Sequence, residues 1–92
     1  MEIWMKDSID FVKKSSLDLN NTNYKDMIYV FYDHFSNRNL AKFISFLFDK
    51  DEITLLFEID DCITNKKYNL EEVEKILICL KENGFDKWAE LD

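Results

Sequence analysis

The chain has 92 residues and a net charge of −7, and 47% of its residues are hydrophobic, including two Trp, four Tyr and eight Phe. So many apolar side chains argue against disorder, and the length predicts a single domain over residues 1–92. Residues 1–48 carry equal numbers of acids and bases, so the whole net charge arises in residues 49–92. A surface of this sign disfavours nucleic acid and anionic membranes as partners.

The sequence also indicates a cellular compartment. The first residues contain no basic leader followed by an apolar run, and no apolar stretch approaches the length that spans a bilayer. Cys62 and Cys79 form no CxxC pair and lie within apolar patterns, which is typical of buried free thiols in a reducing compartment. We therefore expect a soluble, cytoplasmic protein with no membrane partner.

Apolar residues recur at helical spacing in the first half of the chain, between breaks that are rich in Asn. The breaks lie at residues 20–23, 36–39, 64–67 and 83–84. The pattern predicts helices over about residues 2–16, 24–35 and 40–48. Asn23 has the residue type of an N-cap, and Asp26 places an acid in the first turn of the second helix.

Residues 51–63 fit two patterns. Alternate positions are apolar from Ile53 to Ile59, as in a strand, whereas Leu55, Ile59 and Cys62 form a helical stripe. A strand here would pair with residues 43–48 through a hairpin. Because the chain has one Gly and no Pro, we predict a helix and an all-α fold, a compact bundle of five or six short helices. An α+β fold with a hairpin at about residues 43–59 is the alternative.

The last long helix has the clearest ends in the sequence. Asn69, followed three residues later by Glu72, resembles a capping box, and Gly84 has the position of a left-handed residue after the helix. The short turn that follows contains Phe85, Trp88 and Leu91. We expect this turn to fold back on the core.

No group of residues forms a recognisable active site. The single histidine, His34, lies at the edge of an apolar stripe without a motif that would bring it a nucleophile or a carboxylate. One Gly cannot build a phosphate-binding loop, and a calcium loop starting at Asp49 fails because Thr54 stands where the turn needs Gly. Two isolated Lys pairs are too few for a nucleic-acid-binding face. We expect no enzyme activity, no catalytic residue, no cofactor and no metal.

The densest acidic stretch is residues 49–61, with six acids and one base. We predict a partner-binding surface formed by Asp51, Glu52, Phe57, Glu58, Asp60 and Asp61. The carboxylates would meet Lys and Arg of a basic cleft, and Phe57 would act as an apolar anchor. The helices also carry apolar residues outside their main stripes, some of which must reach the surface: Trp4, Phe11, Tyr29, Val30, Phe46 and Phe57.

These features predict a small acidic binding protein that neutralises a basic protein partner. The class that fits best is an immunity protein or another antagonist of a toxin that cleaves nucleic acid, since such toxins present basic clefts. One alternative is a helical adaptor or regulator that acts through homodimerisation, which would explain Trp4, Phe46 and Trp88. A second alternative is a phage-type inhibitor that imitates DNA, which would need two extended rows of acids.

Overall fold

The computed structural model describes residues 2–90, and in this range the chain forms six α-helices and two 3₁₀ segments. The α-helices are α1 (Ile3–Lys14), α2 (Tyr24–Phe31), α3 (Asn37–Phe48), α4 (Glu52–Thr64), α5 (Leu70–Glu82) and α6 (Phe85–Glu90). The 3₁₀ segments are Leu19–Asn21 and Tyr32–His34. No strand occurs between residues 2 and 90, so the predicted all-α bundle is confirmed.

The alternative hairpin at residues 43–59 is wrong, because this stretch contains the end of α3, a tight turn and the first half of α4. Asp49 has a φ of 53°, and this left-handed residue reverses the chain directly after α3. Asp51 then starts α4, since its carboxylate accepts a hydrogen bond from the backbone N–H of Thr54 at 2.9 Å. The short connection makes α3 and α4 an antiparallel pair, and they share the most extensive helix–helix contact among the described residues.

Two helix boundaries in the first half differ from the prediction. α2 ends at Phe31, four residues early, because the chain tightens into the 3₁₀ segment. α3 begins at Asn37, three residues before the predicted start at Leu40. The Ser36 hydroxyl accepts a hydrogen bond from the backbone N–H of Asn39 at 3.3 Å, and this cap offsets the low helix propensity of the two Asn residues.

The N-terminus of α5 is held by another helix. Asn69 is the N-cap, as predicted, and its side chain accepts from the backbone N–H groups of Glu71 and Glu72. Glu72 does not complete the capping box. The backbone N–H of Asn69 donates instead to the buried carboxylate of Asp26 in α2, at 2.8 Å. Asp26 therefore joins α2 to the start of α5.

All six helices contribute to one hydrophobic core. Gly84 has a φ of 96° after α5, as predicted, and α6 then folds back so that Phe85 is buried and Trp88 packs against the core. Leu91 was predicted to join this turn, but it lies outside the described residues. None of the helices in residues 2–90 combines the length and the apolar character needed to cross a bilayer.

Candidate functional site

α4 turns one side to the core and the opposite side to the solvent. Leu55, Ile59 and Cys62 are buried on the inner side. On the outer side Ile53 is 67% exposed and Phe57 is 76% exposed. These two side chains are four residues apart, so they are neighbours on the same helix face. α4 thus presents an apolar pair to the solvent within the most acidic part of the chain.

Four of the six predicted binding residues accept hydrogen bonds from groups of the same chain. Asp51, Glu58 and Asp61 share one side of α4, as the helical spacing predicts, and each accepts hydrogen bonds within the chain. Asp51 caps α4, and the Thr54 N–H and hydroxyl hold the pKa of its carboxyl below the usual value. Glu58 accepts a hydrogen bond from the Tyr24 hydroxyl at 2.7 Å. Burial and this hydrogen bond raise the pKa of Tyr24 to about 12.

Asp61 lies where α4 ends and the following loop turns back. Its carboxylate forms an ion pair with the Lys67 ammonium at 2.6 Å and accepts a hydrogen bond from the Asn65 amide at 2.6 Å. The hydrogen bond from Lys67 lowers the pKa of Asp61 the most, and the one from Asn65 lowers it further. Asp61 is therefore ionised at neutral pH, although part of its charge is offset by Lys67.

The other three predicted residues, Glu52, Phe57 and Asp60, are exposed. Phe57 is 76% exposed, and Asp60 is exposed while accepting a hydrogen bond from the Asn37 amide of α3 at 2.9 Å. Glu52 is exposed in the first turn of α4, in a groove that it shares with Lys42 of α3. A carboxylate can accept several hydrogen bonds, so Asp60 can still receive a Lys or Arg from outside.

Most of the surplus apolar residues are explained by internal packing. Trp4 packs on Phe35, and Phe11 stacks on Trp88, each with ring centroids 5.6 Å apart. Val30 is buried, and the ring of the partly exposed Tyr29 lies 4.0 Å from that of Tyr68. Phe46, which is 53% exposed, and Phe57 remain without such an explanation.

Sequence reasoning missed Ile53, which the strand pattern treated as an ordinary apolar position. Its helical spacing of four residues from Phe57 is the signal that identifies it. Exposed apolar residues elsewhere are scattered: Ile3 and Leu70 begin their helices, and Ile78 lies on a charged side of α5. The α3–α4 pair carries three, namely Phe46 on α3 and Ile53 and Phe57 on α4.

The rest of the described chain offers no comparable cluster of chemical groups. His34 packs against the rings of Phe85 and Trp88, at centroid distances of 5.4 and 5.5 Å. Between residues 2 and 90 no three His, Cys, Asp or Glu side chains come together in a way that could hold a metal ion.

Comparisons of the chain with protein-family models, with curated proteins and with solved structures found no match. The outer side of α4 is therefore interpreted from its own geometry and charge.

Proposed function

We propose that this protein binds and neutralises a basic protein, and that it docks through the outer side of α4. The observation that carries the proposal is the exposed pair Ile53 and Phe57, with Asp60 and Asp61 on the next turn of the same helix. Exposed aromatic residues are enriched at protein interfaces, and a flanking carboxylate can pair with Lys or Arg of a partner. Phe57 acts as the anchor, and Asp60 and Asp61 set orientation and association rate.

The other predicted residues have supporting roles in this proposal. Glu52 adds negative charge at the start of α4. Asp51 caps the helix and Glu58 ties it to Tyr24, so both are positioning residues that hold the outer side in place. A rigid helix loses little conformational freedom when it binds, which favours affinity.

The partner class that we propose is a toxin that cleaves nucleic acid, and the protein would then be its immunity protein or antagonist. Such an enzyme needs a basic cleft for phosphate groups, which complements an acidic helix. Both cysteines are free thiols, and this fits the cytoplasm as the proposed location.

The experiment uses the product of the neighbouring gene, because antagonists are commonly encoded beside their targets. Purified wild-type protein should bind this product with an association rate that falls steeply as salt rises. Phe57→Ala should mainly raise the dissociation rate, whereas Glu52→Lys with Asp60→Lys should slow association. Surface plasmon resonance at several salt concentrations separates the two rates.

A matched control makes the same change in net charge on another helix. Glu74→Lys with Glu82→Lys reverses two exposed charges of α5, which packs on α2. This control should weaken binding much less than the α4 double variant. Equal losses in both variants, or no loss in either, would contradict a role for the outer side of α4.

The structure gives less support to the two alternatives. Trp4 and Trp88, two of the three residues that a dimer was expected to bury, already pack on Phe35 and Phe11, whereas the third, Phe46, is exposed. A DNA mimic needs rows of carboxylates, whereas Ile53 and Phe57 occupy the centre of the outer side of α4. Neutralisation of a basic protein therefore remains the function that we propose.

A further inference from the structure

Two basic residues lie beside the proposed binding side, on the helix next to it. Arg38 and Lys42 are one turn apart on α3, and Phe46 follows one turn later. Neither Arg38 nor Lys42 forms an ion pair with any residue between 2 and 90. They would repel a basic partner, so the proposed function leaves them unexplained.

These residues belong to a face formed jointly by α3 and α4, which we call the hairpin face. It consists of Arg38, Lys42 and Phe46 from α3 and of Glu52, Ile53, Phe57 and Asp60 from α4. Basic residues occur on its α3 side and acidic residues on its α4 side, with exposed apolar residues from both helices. The hairpin face therefore carries positive charge on α3 and negative charge on α4.

The hairpin face is grooved. One groove of about 560 Å³ runs between α1 and the hairpin, and it is lined by Glu2, Trp4, Met5, Lys42, Phe46 and Glu52. A second groove of about 300 Å³ continues along the α3–α4 contact, lined by Arg38, Ala41, Lys42, Glu52, Ile53 and Leu56. Lys42 and Glu52 line both grooves, so the two are adjacent. These two grooves can receive apolar side chains that project from an opposing surface.

The contacts between α3 and α4 fix which residues lie at the same level along the hairpin. The Asn37 amide donates to Asp60 at 2.9 Å, so the start of α3, with Arg38, lies beside the second half of α4. Lys42 and Phe46 share a groove with Glu52, so the second half of α3 lies beside the start of α4. Arg38 of α3 therefore has Asp60 of α4 at about its own level, and Lys42 lines the same grooves as Glu52.

We propose that the hairpin face binds a second copy of this chain. A two-fold axis parallel to the helices places α3 of each copy opposite α4 of the other at the same level, as in an isologous dimer. Arg38 then faces Asp60 of the second copy, and Lys42 faces Glu52 of the second copy. Each pair occurs twice, and the exposed apolar residues are covered between the copies. A perpendicular axis in the same plane would bring basic residues against basic residues.

The inference of a dimer does not rest on the proposed function, but dimerisation affects binding of the basic partner. The second copy covers Ile53 and Phe57, so self-association and capture of a basic protein compete for the same residues. Two helices of 12 and 13 residues form a face roughly 20 Å long, which is small for a stable interface. We therefore expect a concentration-dependent dimer that opens when the partner binds.

Charge reversal tests this arrangement by sedimentation velocity over a concentration series. The wild-type mass should rise from 11.1 kDa towards twice that value as concentration increases. Arg38→Glu with Lys42→Glu makes the face wholly acidic, and Glu52→Lys with Asp60→Lys makes it wholly basic. Each double variant alone should associate at least about 30-fold more weakly, because four attractive pairs become repulsive.

Mixing the two double variants is the decisive measurement. The acidic α3 of one variant then faces the basic α4 of the other, and the unchanged helices still attract, so a heterodimer should form at wild-type concentrations. General damage to the fold would not be repaired by mixing. Circular dichroism checks each variant, and Arg38→Glu mixed with Asp60→Lys carries the same test if a double variant fails to fold.

Several outcomes would overturn the dimer. They are a wild-type protein that stays at 11.1 kDa at every soluble concentration, variants that still dimerise, or a mixture that stays monomeric. The Arg38→Glu, Lys42→Glu variant also separates this inference from the proposed function. It should lose the dimer yet bind a basic partner at least as fast as the wild type. Loss of the dimer without any partner binding would leave this inference intact and contradict the proposed function.

Discussion

This protein has two groups of aromatic residues that differ in exposure, since one is buried and the other is mostly exposed. Around α6 the side chain of Phe31 has no exposed surface. Its ring centroid lies within 6.1 Å of the ring centroids of Phe35, Phe43, Phe85 and Trp88. On the hairpin face Phe46 and Phe57 are mostly exposed. The same residue type therefore packs the core in one region and remains available for contact in the other.

Exposure is set by the side of the helix on which a residue lies rather than by its residue type. Phe31 and Phe43 lie on the buried sides of α2 and α3, whereas Phe46 lies on the outer side of α3. A buried ring contributes its hydrophobic free energy to folding. An exposed ring retains roughly 1.5–3 kcal/mol that becomes available only when another surface covers it.

The largest expected effect comes from the buried cluster. Phe31→Ala should lower the free energy of unfolding by about 3–5 kcal/mol, because it removes a fully buried ring and leaves a cavity. Urea denaturation followed by circular dichroism measures this loss. A loss below about 1 kcal/mol would be close to the effect of a surface substitution. The buried and the exposed aromatic residues would then not differ in their contribution to folding.

A smaller effect separates hydrogen bonding from charge in the buried region. Asp26→Ala removes the acceptor of the Asn69 N–H and should cost about 1–3 kcal/mol. Asp26→Asn is the matched control, since its amide oxygen can still accept, and it should cost less. If both variants lose the same stability, the charge of Asp26 matters rather than the hydrogen bond to α5.

The burial of Tyr24 and its hydrogen bond to Glu58 predict a pH dependence for the attachment of α4. The pKa of Tyr24 is raised from 10.0 to about 12 in the folded protein, so the folded state retains the phenolic proton more strongly. The resulting stability is fully present below pH 10 and is lost as pH rises from 10 to 12.

Tyr24→Phe lacks this titration, so the stability advantage of the wild type over this variant should shrink between pH 10 and 12. Chemical denaturation at a series of pH values measures the difference. Tyr29→Phe keeps the Tyr24–Glu58 hydrogen bond and should follow the wild type. An advantage that stays constant with pH would contradict the raised pKa of Tyr24 and, with it, the partly buried contact between Tyr24 and Glu58.

The helices could largely be predicted from sequence because their signals are local. Asn23, Asn69 and Gly84 act at helix ends as their residue types indicate. The α4 region was ambiguous since a short apolar run satisfies both a strand and a helix pattern. The start of α3 was misplaced because the two Asn residues looked like a break, although Ser36 caps the helix before them.

The candidate site was harder to predict because burial and pairing depend on distant residues. Asp26 and Asn69 are 43 positions apart, and Tyr24 and Glu58 are 34 positions apart, so no local pattern joins them. Helical spacing alone could group Asp51, Glu58 and Asp61, but not show that each is engaged within the chain. The placement of Arg38 and Lys42 beside the acids of α4 likewise follows only from the fold.

The smallest expected effect on stability is on the hairpin face, where an exposed ring can be compared directly with a buried one. Phe57→Ala should change the free energy of unfolding by no more than about 0.5 kcal/mol, because the ring contributes little burial and Ala favours the helix. Phe43→Ala on the buried side of α3 is the control and should cost about 3–5 kcal/mol. Phe57→Ala should nevertheless weaken self-association and partner binding. If it instead destabilises the monomer by more than about 1 kcal/mol, Phe57 supports the fold, and the hairpin face no longer differs in kind from the buried cluster.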